Sequence, residues 1–183
     1  MTYSLVVVTG GATRHSVSAM LAEKMREAVI SELEKHGDVR VHALHIGKFA
    51  YEIAEKLSGD DEDPELQETY EKIYSADGII TVSPVFKASY SGLYKLFWDL
   101  TDEDDLTDTP TFIGATGGTQ RHSLMLDHTM RPLFGFMGAQ VAPTAIYATP
   151  EEVTGTDQAT LERRIARGAQ QFAALVRNYK DAQ

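Results

Sequence analysis

Tyr3-Ser4-Leu5-Val6-Val7-Val8-Thr9-Gly10-Gly11 is the stretch that decides the fold of this chain. It is a short, β-branched, apolar run without polar alternation, so it predicts a strand buried on both faces, as in a parallel sheet. The two glycines end it. Beyond the loop, Val17, Leu21, Met25, Ala28 and Leu33 recur at helical spacing, while Glu23, Lys24, Glu27, Ser31 and Glu34 fill the other side. That pattern is an amphipathic helix. Gly37 closes it, and Val39-Arg40-Val41-His42-Ala43-Leu44 supplies a second strand. One βαβ unit is therefore legible from pattern alone.

Working outward, the same alternation continues. Phe49 to Leu57 reads as a short helix, and Ser58 to Asp63 as an acidic loop. Asp63 then suits an N-cap, with Pro64 at the first helical position. Leu66, Tyr70, Ile73 and Tyr74 share one face of the helix that follows, and Gly78 to Ser83 is a third strand, expected to stop at Pro84. A helix from about Gly92 to Leu100 follows, then a second acidic connection from Thr101 to Asp108, then a fourth strand, Thr111 to Thr116. Gln120 to Met137 reads as one helix with Pro132 inside it, a residue that must kink it or remove a hydrogen bond. Gln140 to Tyr147 is a fifth strand and Asp157 to Tyr179 a closing helix. Strands alternating with helices over short links mean an α/β, doubly wound parallel sheet.

The 183 residues are read as one domain, 1–183, and an apolar share of 43% with 24% charged residues suits one full core. No apolar run is long enough to cross a bilayer. Met1-Thr2-Tyr3 leads straight into a strand with no basic leader, so a cytoplasmic protein is expected. With no cysteine, disulfides, thiolate nucleophiles, iron–sulfur clusters and cysteine zinc sites are excluded. A net charge of −10 argues against nucleic acid as a partner, yet a local set of donors can still bind a small phosphate.

Ligands of open α/β sheets bind beyond the carboxyl ends of the strands. Three unusual loops share that edge here. The first, Thr9-Gly10-Gly11-Ala12-Thr13-Arg14-His15-Ser16-Val17-Ser18, has glycines for close backbone approach, hydroxyls, a cation and a helix N-terminus behind it. Charge-assisted hydrogen bonds there contribute ~1.5–3 kcal/mol each. Read by itself, this loop suits equally a phosphate cradle or a capped helix beside a solvated arginine. The second, Ser83-Pro84-Val85-Phe86-Lys87-Ala88-Ser89-Tyr90-Ser91-Gly92, places Val85 and Phe86 as an apolar wall for a flat ring system. The third, Ala115-Thr116-Gly117-Gly118-Thr119-Gln120-Arg121-His122, offers exposed amides at Gly117 and Gly118 with no side chain to block a planar ligand. A phosphate end, an apolar wall and an amide-rich floor together describe flavin mononucleotide.

At these residues the chain resembles the NADPH-dependent FMN reductases, particularly those that feed reduced flavin to two-component monooxygenases. The resemblance spans nearly the whole chain and is most specific at residues 84–92 and 115–119, with further matches from Asp127 through Arg131-Pro132-Leu133-Phe134 to Gly138-Ala139. It implies a flavodoxin-like, five-stranded sheet in the order 2-1-3-4-5, and FMN with NADPH or NADH as cofactors. It further implies that Gly11, Arg14, Ser16 and Ser18 hold the phosphate. Pro84, Val85 and Phe86 would line the ribityl chain and ring edge, and Thr116, Gly117 and Gly118 would lie under the isoalloxazine. The family usually has tyrosine where this chain has Phe86, which removes a hydroxyl and keeps the ring. His128 matches a position where some members carry an inserted tyrosine and a π-bulge that favours tightly held flavin; histidine there suggests ready release. Relatives form dimers or tetramers, so a homo-oligomer is expected, and Tyr94, Phe97 and Trp98 are either part of that interface or part of the core.

The hydride step needs no side-chain acid or base, so none is assigned. The six histidines lack metal-ligand spacing, and the acidic runs Asp60–Asp63 and Asp102–Asp105 do not match a calcium loop. No Walker lysine and no nucleophile elbow are present. A response regulator needs an acidic pair after the first strand, where this chain has Gly10-Gly11. The alternatives kept are an FMN-bound quinone, azo-dye or chromate reductase, and a non-enzymatic electron carrier.

Overall fold

The computed structural model describes every residue except Ala12, Arg14, His15, Asp60, Asp61, Glu62 and Glu103. The chain runs β1 (Thr2–Thr9), α1 (Val17–Leu33), β2 (Asp38–His45), α2 (Ala50–Ser58), α3 (Pro64–Tyr74), β3 (Gly78–Phe86), β4 (Ser89–Tyr90) and α4 (Gly92–Trp98). It continues with β5 (Pro110–Thr116), α5 (Arg131–Phe136), β6 (Gln140–Val141), β7 (Ile146–Ala148), α6 (Pro150–Thr154) and α7 (Ala159–Asp181). The sheet has the order β2-β1-β3-β5-β6, with β7 also on β5 and β4 folded back antiparallel on β3. With β6 and β7 as two halves of one fifth strand, this is the expected order.

The period of two along β1 divides its side chains between two cores. Leu5 and Val7 meet Leu21 and Met25 of α1 and Phe172 and Val176 of α7 on one face. Val6 and Val8 meet Ile53, Tyr70, Phe97 and Phe134 on the other. Burying each such side chain contributes about 1.5–3 kcal/mol, so both faces hold the sheet. Asp77 fastens its lower edge: the carboxylate accepts from Ser4 N at 2.7 Å and from Lys180 Nζ at 2.9 Å. No described helix is long and apolar enough to cross a membrane.

The Asp63 cap and Pro64 start of α3 are as expected, with Asp63 Oδ1 accepting from Leu66 N at 2.7 Å. Other expectations are corrected. Pro84 does not stop β3, which continues to Phe86. The ladder with β1 ends at Val82, so the missing proline N–H falls where β3 has no neighbour on that side. Beyond it, Phe86-Lys87-Ala88-Ser89 forms a two-residue hairpin with Lys87 at φ 53° and Ala88 at φ 68°. Positive φ at both central positions is the type I′ pattern, normally given to Asn and Gly.

The helix expected over 120–137 is broken into a 3-10 turn at Gln120–His122, a π turn at Leu126–Met130, and α5. Arg131 N–H reaches five residues back to Leu126 O, and Pro132 sits in the first turn of the α segment, where its lost donor costs least. The fifth strand is split around Pro143, and the Arg131 guanidinium takes up the carbonyls of Ala142 and Pro143 at 3.0 and 3.2 Å. Tyr94, Phe97 and Trp98 are buried within the chain, so they complete the core and present no face to a second subunit.

Candidate flavin site

The carboxyl ends of β1, β3 and β5 come together, and short polar side chains fasten their loops. Gly10 N donates to Val82 O at 2.8 Å, and Ser91 Oγ donates to Gly10 O at 2.9 Å. Ser83 Oγ accepts from Ser91 N and donates to Pro84 O, each at 3.0 Å. Ser91 also caps α4 through Tyr94 N. Pro84 stands opposite Thr116 in the β3–β5 ladder. Sequence reasoning missed Ser83 and Ser91; the Ser-Gly-Leu start of a helix marks Ser91 as a cap, but no signal reveals its second bond.

In the first loop, Ser16 is the N-cap of α1, and its hydroxyl accepts from Ala19 N at 3.2 Å. A Cβ on Gly11 would stand 2.5 Å from that hydroxyl, so only glycine lets the loop lie against it. The first turn of α1 carries no carboxylate that would repel an anion from its N-terminus. Ser18 is buried, and its hydroxyl lies 2.7 Å from Thr116 Oγ1. One proton serves that bond, and the hydroxyl that accepts keeps its own to donate. The pair joins the expected phosphate end to the expected ring end. Arg14 lies outside the described residues.

The ring end differs from expectation in one respect. The amide of Gly117 is not exposed: it donates to Ala148 O at 3.2 Å, continuing the β5–β7 ladder by one bond. A Cβ on Gly117 would overlap the Tyr147 phenol oxygen and stand 3.3 Å from Val85 Cβ, whereas one on Gly118 would have nothing within 4 Å. A Cβ at Gly118 would therefore meet open space; Val85, which lies against Gly117, is half-buried, and Phe86 is 54% exposed. The open space at Gly118 has room for a planar ring, and the close approach of Gly11 to the Ser16 hydroxyl at the start of α1 is compatible with a phosphate there. The residues present fit FMN.

Tyr147, unassigned from sequence, is buried on β7; burial, with a smaller contribution from Glu152, pushes its phenol above the usual range, so it stays a hydrogen-bond donor. The π turn that the resemblance associates with tightly held flavin is present, and the histidine read as favouring release, His128, stands exposed within it, so the two expectations drawn at this position point in opposite directions. A cleft of about 880 Å³ lies beside this site, between α1 and α3 along β2, and includes none of the loop residues after β3 or β5.

A doubly wound sheet in this order, with three loops gathered at the carboxyl ends of its strands, defines a flavodoxin-like protein. The chain belongs to the NADPH-dependent FMN reductase family, whose model matches residues 3–154. It is 35% identical over 173 residues to the NADH-dependent FMN reductase SfnF of Pseudomonas fluorescens, covering 93% of this chain and 90% of that protein. To the FMN reductase (NADPH) of Pseudomonas aeruginosa it is 37% identical over 147 residues, 80% of this chain and 77% of the other. Among solved structures, an oxidoreductase from Corynebacterium diphtheriae superposes with a TM-score of 0.91 at 34% identity, over 97% of this chain and 98% of that one. The protein is an NAD(P)H:FMN oxidoreductase.

Proposed function

We propose that this reductase treats FMN as a dissociable substrate and supplies the reduced flavin to a flavin-dependent monooxygenase. The observation that carries the reading is the open space at Gly118 together with the exposure of Phe86, which suits a flavin that enters and leaves. In this reading Gly11, Arg14, Ser16 and Ser18 hold the phosphate, Pro84, Val85 and Phe86 line the ribityl chain and ring edge, and Thr116, Gly117 and Gly118 lie under the ring. Bound FMN supplies the hydride-accepting ring for the nicotinamide. The chain's task is orientation: the Ser18–Thr116 pair fixes the distance between the phosphate and ring ends, and Gly118 keeps the face clear.

The test is oxidation of NADPH and NADH by purified protein, titrated with free FMN and, in parallel, with a quinone. Turnover that saturates with added FMN and needs no quinone is the expected result. Turnover only with quinone, on protein that purifies yellow, refutes the dissociable-substrate reading in favour of a bound-flavin reductase.

A further inference from the structure

The loop after β5 is held from below at both sides of Gly118. On one side Gly117 N donates to Ala148 O at 3.2 Å; on the other, the Tyr147 hydroxyl donates to Thr119 O at 2.7 Å. Gln120 is tied in turn to Glu152 at 2.5 Å, and Glu152 to Arg164 at 2.6 Å, while Arg164 also bonds Tyr147 O at 2.9 Å. Between those anchors Gly118 alone stands free. The phenol oxygen occupies the place where a Cβ of Gly117 would be, so tyrosine and glycine are complementary in shape as well as in bonding.

We infer that Tyr147 is a positioning residue for FMN: its hydroxyl sets the Gly117-Gly118-Thr119 segment at the height and tilt the flavin ring requires. This rests on the proposal that Gly118 lies under the ring. A loop with one anchor removed samples orientations that the ring must then select, and flavin affinity falls by the cost of that ordering. The ring of Tyr147 belongs to the core, and its hydroxyl belongs to the loop. Removing only the hydroxyl separates the two roles.

Tyr147→Phe keeps the ring and deletes the bond to Thr119. One net hydrogen bond corresponds to about a fivefold weaker FMN affinity, read by quenching of flavin fluorescence. Gly117→Ala alone forces the phenol aside and weakens FMN by about tenfold or more. In the Tyr147→Phe background the same alanine meets no phenol oxygen, and the next atom, ring Cζ, is 3.2 Å away. The second substitution then costs less FMN affinity than it does alone; because touching residues also couple in stability, thermal unfolding of the same four proteins is read beside the titrations, and a coupling in affinity larger than that in stability is the expected result. Tyr147→Phe binding FMN as the unaltered protein does, while Gly118→Val abolishes binding, overturns the inference and leaves the floor reading intact. Unaltered binding by Gly118→Val overturns both.

Discussion

Gly11→Ala separates the two jobs of Ser16. Gly11 has no positive φ, so alanine fits the backbone there, and the whole effect comes from the methyl group. That methyl would stand 2.5 Å from Ser16 Oγ and 3.1 Å from Ser16 Cβ, too close to persist, and the serine side chain is the part that moves. Losing its bond to Ala19 N costs about 1 kcal/mol of helix capping. For a chain of this length that lowers the melting temperature by about 2–4 °C. If Ser16 also donates to the flavin phosphate, a charge-assisted bond of roughly 1.5–3 kcal/mol goes with it, and FMN affinity falls about 10- to 150-fold. Ser16→Ala should reproduce both losses without added bulk. Flavin fluorescence titration and thermal unfolding on the same samples read the two terms separately. A lowered melting temperature with unchanged FMN affinity in both variants would refute the role of Ser16 at the phosphate and leave it a helix cap only.

Ala88→Gly should stabilise the protein. Left-handed backbone costs an L-residue about 1–2 kcal/mol and glycine in the unfolded chain recovers part of that, so a net gain of about 0.5–1 kcal/mol is expected; a lower melting temperature would contradict the strain at φ 68°. Asp77→Ala leaves Ser4 N–H and the Lys180 ammonium without their partner and is expected to cost about 3 kcal/mol, measured by urea unfolding; a loss under 1 kcal/mol would show the contact to be incidental. Burial, with help from Lys72 and against Glu68, holds the His42 imidazole below its ordinary value of 6.5. The unfolded chain then binds the proton more readily, so this contribution is complete above pH 6.5 and fades as pH falls through the lower folded value. His42→Gln should flatten that part of the melting-temperature profile, and an unchanged profile would remove His42 as its source.

Much of the fold is legible in the sequence. The unbroken apolar run of β1, the Asp63-Pro64 helix start and the alternation of periods place the sheet and its ligand edge, because each depends on neighbours close in sequence. What escaped depends on long-range contacts. Pro84 reads as a terminator only if β3 is paired on both sides, and the early end of β1 removes that condition. The π turn at Leu126–Met130 leaves no signature in hydrophobic spacing, since Leu126, Met130 and Phe134 remain buried at intervals of four. Tyr147 looks like any aromatic at the end of a strand; its bond to Thr119 spans 28 residues. Gly117 and Gly118 read as a matched pair, yet one is spent on shape and strand pairing and the other on clearance.

Among the described residues the sheet ends at β2, with no strand beyond it. An uncovered edge is a template on which further strands of other molecules can accrete. Here Asp38 and Arg40 stand exposed along that edge, and α1 and α3 flank it with ion pairs of Arg26 with Glu23 and Lys72 with Glu68. An incoming strand would have to dehydrate these groups, and a chain of net charge −10 repels its own copies before they meet. Protection of this kind is electrostatic and shortens with the screening length, from about 10 Å at 0.1 M salt to about 3 Å at 1 M. Concentrated protein in high salt is therefore where edge-to-edge growth meets the least resistance.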